Sequence, residues 1–173
     1  MQGEVWPTGP KSDRLYTSGL LSPITGRLHV RITIGADEEN EVTAAAVDEL
    51  RRRGHDLEVL HPEQWSEVAW KVAERVANGE ADQGMLFCWT GTGTAMAANK
   101  VPGVRAALAW EPWIAEGARR WNDANVLVMS LKRITPEVAR AIVGAWLGVA
   151  EPDADEAENI ARLAEIERKY SRG

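Results

Sequence analysis

Gly84-Met85-Leu86-Phe87-Cys88 runs directly into Cys88-Trp89-Thr90-Gly91-Thr92-Gly93-Thr94-Ala95-Met96-Ala97-Ala98-Asn99-Lys100, and this join decides the fold. An apolar run with no polar alternation is what a strand covered on both faces requires. Two glycines spaced by one residue then turn the chain into a helix of small side chains. A buried strand, a glycine turn and a helix form the repeating unit of a parallel α/β sheet. In such a turn, backbone N–H groups can approach a ligand, and the helix start favours an anionic oxygen. A Gly-x-Gly turn alone also arises for steric reasons, so the motif needs its surroundings.

Working outward, the same alternation recurs. Leu28–Ile34 reads as a strand ending at Gly35. Glu39–Arg53 follows as a helix with Val42, Ala46 and Leu50 on one stripe and Gly54 as its stop. Leu57–Leu60 is a short strand, and Glu63–Asn78 a helix with Val68, Val72 and Val76 spaced by four. Arg105–Trp110 is a strand leading to a helix near Pro112–Arg120. Asn125–Ser130 is the fifth strand. Thr135 is placed to cap a helix from Pro136 to about Leu147. A last helix, Asp155–Tyr170, has no strand after it.

The expectation is one α/β domain over 28–173: a doubly wound, Rossmann/flavodoxin-like, five-stranded parallel sheet with helices on both faces and an extra C-terminal helix. Residues 1–27, rich in Gly, Pro, Ser and Thr, read as a flexible extension. Ligand sites in such sheets lie outside the carboxyl ends of the strands. That rule selects Gly35–Glu38, His61–Trp65, Cys88–Thr94 and Trp110–Trp113.

Bulk properties narrow the class. A chain of 173 residues can bury a real core, and a 27% charged fraction argues against wholesale disorder. A net charge of −6 gives no reason to expect nucleic-acid binding, and no apolar run reaches spanning length. A single cysteine excludes an intrachain disulfide, and the reading is a cytoplasmic protein with a small-molecule substrate and no membrane contact. No metal-ligand constellation is legible. Eight tryptophans against one phenylalanine is the compositional anomaly.

The 88–100 run resembles the Cys-Gly-Thr-Gly-x-Gly-x-x-x-Ala-Ala-Asn-Lys signature of the ribose-5-phosphate isomerase B / galactose-6-phosphate isomerase family. The resemblance continues through Val101–Ala107, through Asn122–Leu127 and at Gly35-Ala36-Asp37. It implies a cofactor-free homodimer, with the pocket at the subunit interface, that interconverts aldose and ketose phosphates through an enediolate. Among the family's two kinds of base, a cysteine ending the third strand or a carboxylate after the second glycine, this chain has Cys88 and Thr94, the cysteine type. A lone cysteine is also commonly a small buried hydrophobe. Thr90 matches a threonine beside the base, or serves as a turn hydroxyl. Gly91, Thr92, Gly93 and Thr94 would line the substrate. Asn122 matches a substrate contact, or stabilises a turn. Asp37 matches the family's aspartate, or caps the next helix.

Several positions depart from the family pattern. Its phosphate-contacting histidine is Glu38, its ring-opening histidine is Trp121, and a signature glycine is Trp89. Its Arg-His-x-x-Arg stretch is replaced by Asp155, Glu156 and Asn159. Anions in place of cations repel phosphate, and tryptophan cannot exchange a proton as histidine does. Trp65, Trp89, Trp110, Trp113 and Trp121 are expected to line an aromatic pocket, whereas Trp70 and Trp146 are expected to pack. The leading reading is an isomerase-like enzyme with a non-phosphorylated substrate. One alternative is a conventional sugar-phosphate isomerase using another cation, such as Arg119 or Lys100. The other is a non-catalytic small-molecule-binding homologue.

Overall fold

Side chains on successive strand residues point to opposite faces, and this sorts the apolar residues into two layers. The computed structural model describes residues 29–170, so the extension at 1–27 lies outside the described residues. Strands β1 (Arg31–Ala36), β2 (Asp56–Val59), β3 (Gln83–Cys88), β4 (Ala106–Leu108) and β5 (Val126–Ser130) pair in parallel in the order β2-β1-β3-β5-β4. Helices α1 (Glu41–Arg52), α2 (Trp65–Ala77), α3 (Thr92–Ala98), α4 (Pro112–Asn122), α5 (Pro136–Leu147) and α6 (Ala157–Tyr170) alternate with or follow them. Register places Ile34 beside Met85, and Met85 beside Leu127.

Ile32, Ile34, Met85, Phe87, Leu127 and Met129 pack on one face against Val42 and Leu50 of α1, Ala115 of α4, and Ile142 and Trp146 of α5. Leu86, Val126 and Val128 pack on the other against Ala69 and Val72 of α2 and Ala98 of α3. The two-sided cover explains why β3 reads as an unbroken apolar run.

Boundaries move where packing, not propensity, decides them. Gly35, read as the end of the first strand, lies inside β1. A Cβ there would stand 2.5 Å from Val68 Cγ2, and one at Gly84 would stand 2.7 Å from Val72 Cγ1. Both glycines therefore let α2 lie close on the sheet. Asn40, not Asp37, caps α1, its side chain accepting from the Val42 N–H at 2.9 Å. Thr135 caps α5 as its sequence implies, with Pro136 opening the helix.

The tryptophans expected to pack divide. Trp146 is fully buried and donates Nε1–H to Gln83 Oε1 at 2.7 Å, whereas Trp70 is half exposed on the outer side of α2, opposite its buried Val68, Ala69 and Val72. The last helix begins later than read, after a 3₁₀ turn at Ala154–Glu156, and α6 has no buried residue.

Candidate functional site

The sheet dictates where a ligand can enter. Chain leaving β1 goes to α1 on one face, while chain leaving β3 goes to α3 on the other. Because β1 and β3 are neighbours, their loops diverge and open a crevice at their carboxyl ends, the topological switch point. Asp37 and Glu38 lie there at the end of β1, and Trp89 follows Cys88, the last residue of β3. A crevice of about 380 Å³ is lined there by Asp37, Glu38, Pro62, Glu63, Gln64, Trp65 and Trp89.

Cys88, 6% exposed, ends β3, and its thiol is among the groups that act on the Asp37 carboxyl. Burial pushes the Asp37 carboxyl above its ordinary range; the backbone N–H of Trp89 pulls it back, the Glu38 charge adds to the rise, and the Cys88 thiol opposes it. Asp37 Oδ1 is buried with no hydrogen-bond partner among the described residues. Because Asn40 has the capping role, Asp37 is left to the crevice.

The turn after Cys88 is built from glycine geometry. Gly91 has φ +80°, a left-handed conformation, and a Cβ there would meet Leu108 Cδ1 at 2.4 Å. It is therefore glycine for two independent reasons. Thr90 and Thr92 are exposed and share a hydroxyl–hydroxyl hydrogen bond of 2.7 Å. The Trp65 ring lies 3.0 Å from where a Cβ on Gly93 would be, so one indole covers the turn. The first N–H groups of α3 have no carbonyl partner within the helix, as at any helix start.

Three expected site residues sit elsewhere. Thr94 is fully buried, and its hydroxyl donates to the Gly91 carbonyl at 3.1 Å, so its side chain shapes the turn and is closed off from solvent. Trp121 and Asn122 end α4, which returns from the carboxyl end of β4 to the amino end of β5. Within one chain they are thus at the edge opposite Cys88, where Trp121 packs on Gly117. Asn122 instead borders a cavity of about 480 Å³ between β4 and α6, together with Gly103, Arg105, Leu163 and Glu167. Of the five tryptophans expected to share a pocket, Trp65 and Trp89 do so, while Trp110 and Trp113 stand 43% and 59% exposed where β4 gives way to α4.

Two features escaped the sequence reading. Lys132, just past β5, brings Nζ to 4.5 Å from the Trp89 ring centroid and 3.9 Å from Glu38 Oε1. Asn99 of the Ala-Ala-Asn-Lys motif is structural: its side chain donates to the Ala106 carbonyl at 2.9 Å and accepts from the Ala106 N–H at 2.8 Å. It therefore occupies the open edge of β4, which among the described residues pairs only with β5. Arg119, considered for an anion, is 8% exposed and donates to the Ala124 carbonyl at 2.7 Å, so it is committed to the fold. Among the described residues, no helix is long and apolar enough to cross a membrane.

Comparison with known proteins agrees with this architecture. Residues 32–166 match the family model described as Ribose/Galactose Isomerase. Ribose-5-phosphate isomerase B of Escherichia coli is 34% identical over 151 residues, covering 80% of this chain and 97% of that one. D-erythrulose-4-phosphate isomerase 2 of Mycolicibacterium smegmatis is 40% identical over 113 residues, covering 65% and 72%. Among solved structures, Clostridium thermocellum ribose-5-phosphate isomerase B superposes with a TM-score of 0.75 at 34% identity, covering 82% of this chain and 99% of that one. The parallel sheet, the switch-point crevice and the match across 32–166 place this chain in the ribose/galactose isomerase family, a family of sugar-phosphate isomerases.

Proposed function

We propose that the chain is a cofactor-independent aldose–ketose isomerase in which Cys88 moves the proton. The thiolate of Cys88 takes the proton from the carbon next to the carbonyl of an open-chain sugar. Electrons shift to the carbonyl oxygen, giving an enediolate, and the thiol returns the proton to the neighbouring carbon. N–H groups of the Gly91–Gly93 turn face the developing oxyanion, and the Thr90 hydroxyl assists transfer between the two oxygens. The observation that carries this reading is the position of Cys88: it ends β3 at the switch point, next to Asp37, with the glycine turn immediately after it.

The proposed substrate is a sugar, or a related polyol or carbonyl compound, without phosphate. Three carboxylates and two indoles line the crevice, and no Lys or Arg lines it among the described residues. Carboxylates accept hydrogen bonds from hydroxyls, and an indole face packs against a sugar's C–H face. The second reading, a phosphorylated substrate, is favoured by the relatives' names and by Lys132 at the mouth.

We further propose a homodimer with the pocket at the subunit interface. One chain holds Asn122 and Cys88 at opposite edges, so an Asn122 that touches substrate belongs to a second copy. The unburied apolar side chains Leu163, Ile166 and Tyr170 of α6 supply surface for such a contact.

Cys88→Ala tests the chemistry. It is expected to abolish interconversion of an aldose panel, followed by NMR with solvent deuterium incorporation, while the circular dichroism spectrum stays native. Full turnover in that variant removes Cys88 as the base.

A further inference from the structure

Trp89, Glu38 and Lys132 make one interlocked unit at the mouth of the crevice. Trp89 donates Nε1–H to Glu38 Oε2 at 2.8 Å, a contact between the loop after β3 and the loop after β1. Lys132 comes from the loop after β5 and sits over the Trp89 ring within 3.9 Å of Glu38 Oε1. The backbone reinforces the arrangement: the Lys132 N–H and the Ser130 hydroxyl both donate to the Trp89 carbonyl, at 3.3 and 2.6 Å. Three strand ends are thereby tied across the entrance.

An ammonium beside a carboxylate and on an indole face has its charge compensated twice. Glu63, also in the lining, is matched by Lys71, whose Nζ lies 2.6 Å from its carboxylate. An incoming phosphate therefore meets cations already in use and the carboxylates that hold them. A hydroxyl meets the same carboxylates as acceptors.

We propose that Glu38 is a specificity-determining residue: by engaging Trp89 and Lys132 it withdraws the mouth's cation, so that the crevice takes the neutral polyol end of a sugar in preference to a phosphate. The inference rests on the crevice being the substrate site and names what that site selects. The Glu38 carboxyl is held below the ordinary carboxylate range, first by the Trp89 indole N–H and, more weakly, by Lys132.

The test is binding without turnover. Calorimetry is run on wild type, Glu38→Gln, and Glu38→Gln/Lys132→Met, each confirmed folded by its melting curve. The probes are the sugar alcohols erythritol and ribitol, which have no carbonyl to isomerise, each against its terminal phosphate ester. Wild type is expected to bind each ester no more tightly than its parent alcohol. Glu38→Gln frees one ammonium and is expected to tighten the esters about tenfold, with the parent alcohols moving less than about threefold. The second substitution is expected to erase that gain.

A wild-type preference of tenfold or more for the esters overturns the proposal. So does an unchanged preference, or no ester binding, in folded Glu38→Gln protein, or a gain that survives loss of Lys132. Because no turnover enters, failure of the Cys88 assignment leaves this result readable. Failure here leaves the proton-transfer reading intact.

Discussion

Gly91→Ala puts the turn that carries the site under direct stress. The residue has φ +80°, and an L side chain in the left-handed region costs roughly 1–2 kcal/mol. The new Cβ would also stand 2.4 Å from Leu108 Cδ1, with Val128 Cγ1 at 3.4 Å behind it. Only the end of the half-buried Leu108 has to swing away, so this second cost falls at the low end of overpacking, about 1 kcal/mol. Together the substitution is expected to lower stability by about 2–3 kcal/mol. Urea unfolding followed by circular dichroism measures it as a shift in midpoint at constant slope. Leu108→Ala separates the two costs: it removes the clash and leaves the backbone strain. The double variant is then expected to be about 1 kcal/mol more stable than the sum of the single effects. A loss below about 0.5 kcal/mol for Gly91→Ala, or strict additivity with Leu108→Ala, refutes the account of why this position is glycine.

Two further outcomes follow from the site and from the edge strand. In the folded chain the Asp37 carboxyl binds its proton more tightly than it does unfolded, because burial disfavours the charge. Stability is therefore lost as pH rises from the ordinary carboxylate range through the raised folded value, and Asp37→Asn is expected to be more stable than wild type at pH 7, with the advantage shrinking under acid; equal stability across that window counts against a desolvated Asp37. Asn99→Ala unpairs the Ala106 N–H and carbonyl, so a loss of roughly 1–3 kcal/mol is expected, with increased self-association by light scattering from the bared β4 edge. No loss there would mean that water replaces the amide without penalty.

How much of the fold was legible depended on whether local pattern or long-range packing set each feature. The strands and their helices follow from short or unbroken apolar runs, as at β3, and from the helical period of 3.6, and that period survives in the structure almost residue for residue at α5. Gly35 was misplaced because glycine ordinarily ends a strand. Here it continues one, since Val68 and Val72 of α2 press on it from above. Strand order is a different matter. Nothing local in Ala106–Leu108 tells that β4 lies outside β5, because the order is fixed by which helices fill which face.

The site divides along a similar line. Asp37, Glu38, Trp65 and Trp89 come together in one crevice because a strand's carboxyl end is a place that sequence alone can locate, and the switch point then gathers the β1 and β3 ends. Asn122 opens a stretch that resembles the family as Asp37 does, and Trp121 beside it stands where the family has a histidine. Yet α4 runs back across the sheet, and a resemblance says which residues share a site without saying which copy of the chain supplies them. Lys132 was missed for the opposite reason: it has no motif, but the strand-end rule extended past Ser130 reaches it. Position on the sheet therefore ranks above motif in deciding what one chain can bring together. By that ranking, the pairing of Glu38 with Trp89 and Lys132 is a property of three neighbouring strand ends, and any substrate entering between β1 and β3 has to contend with it.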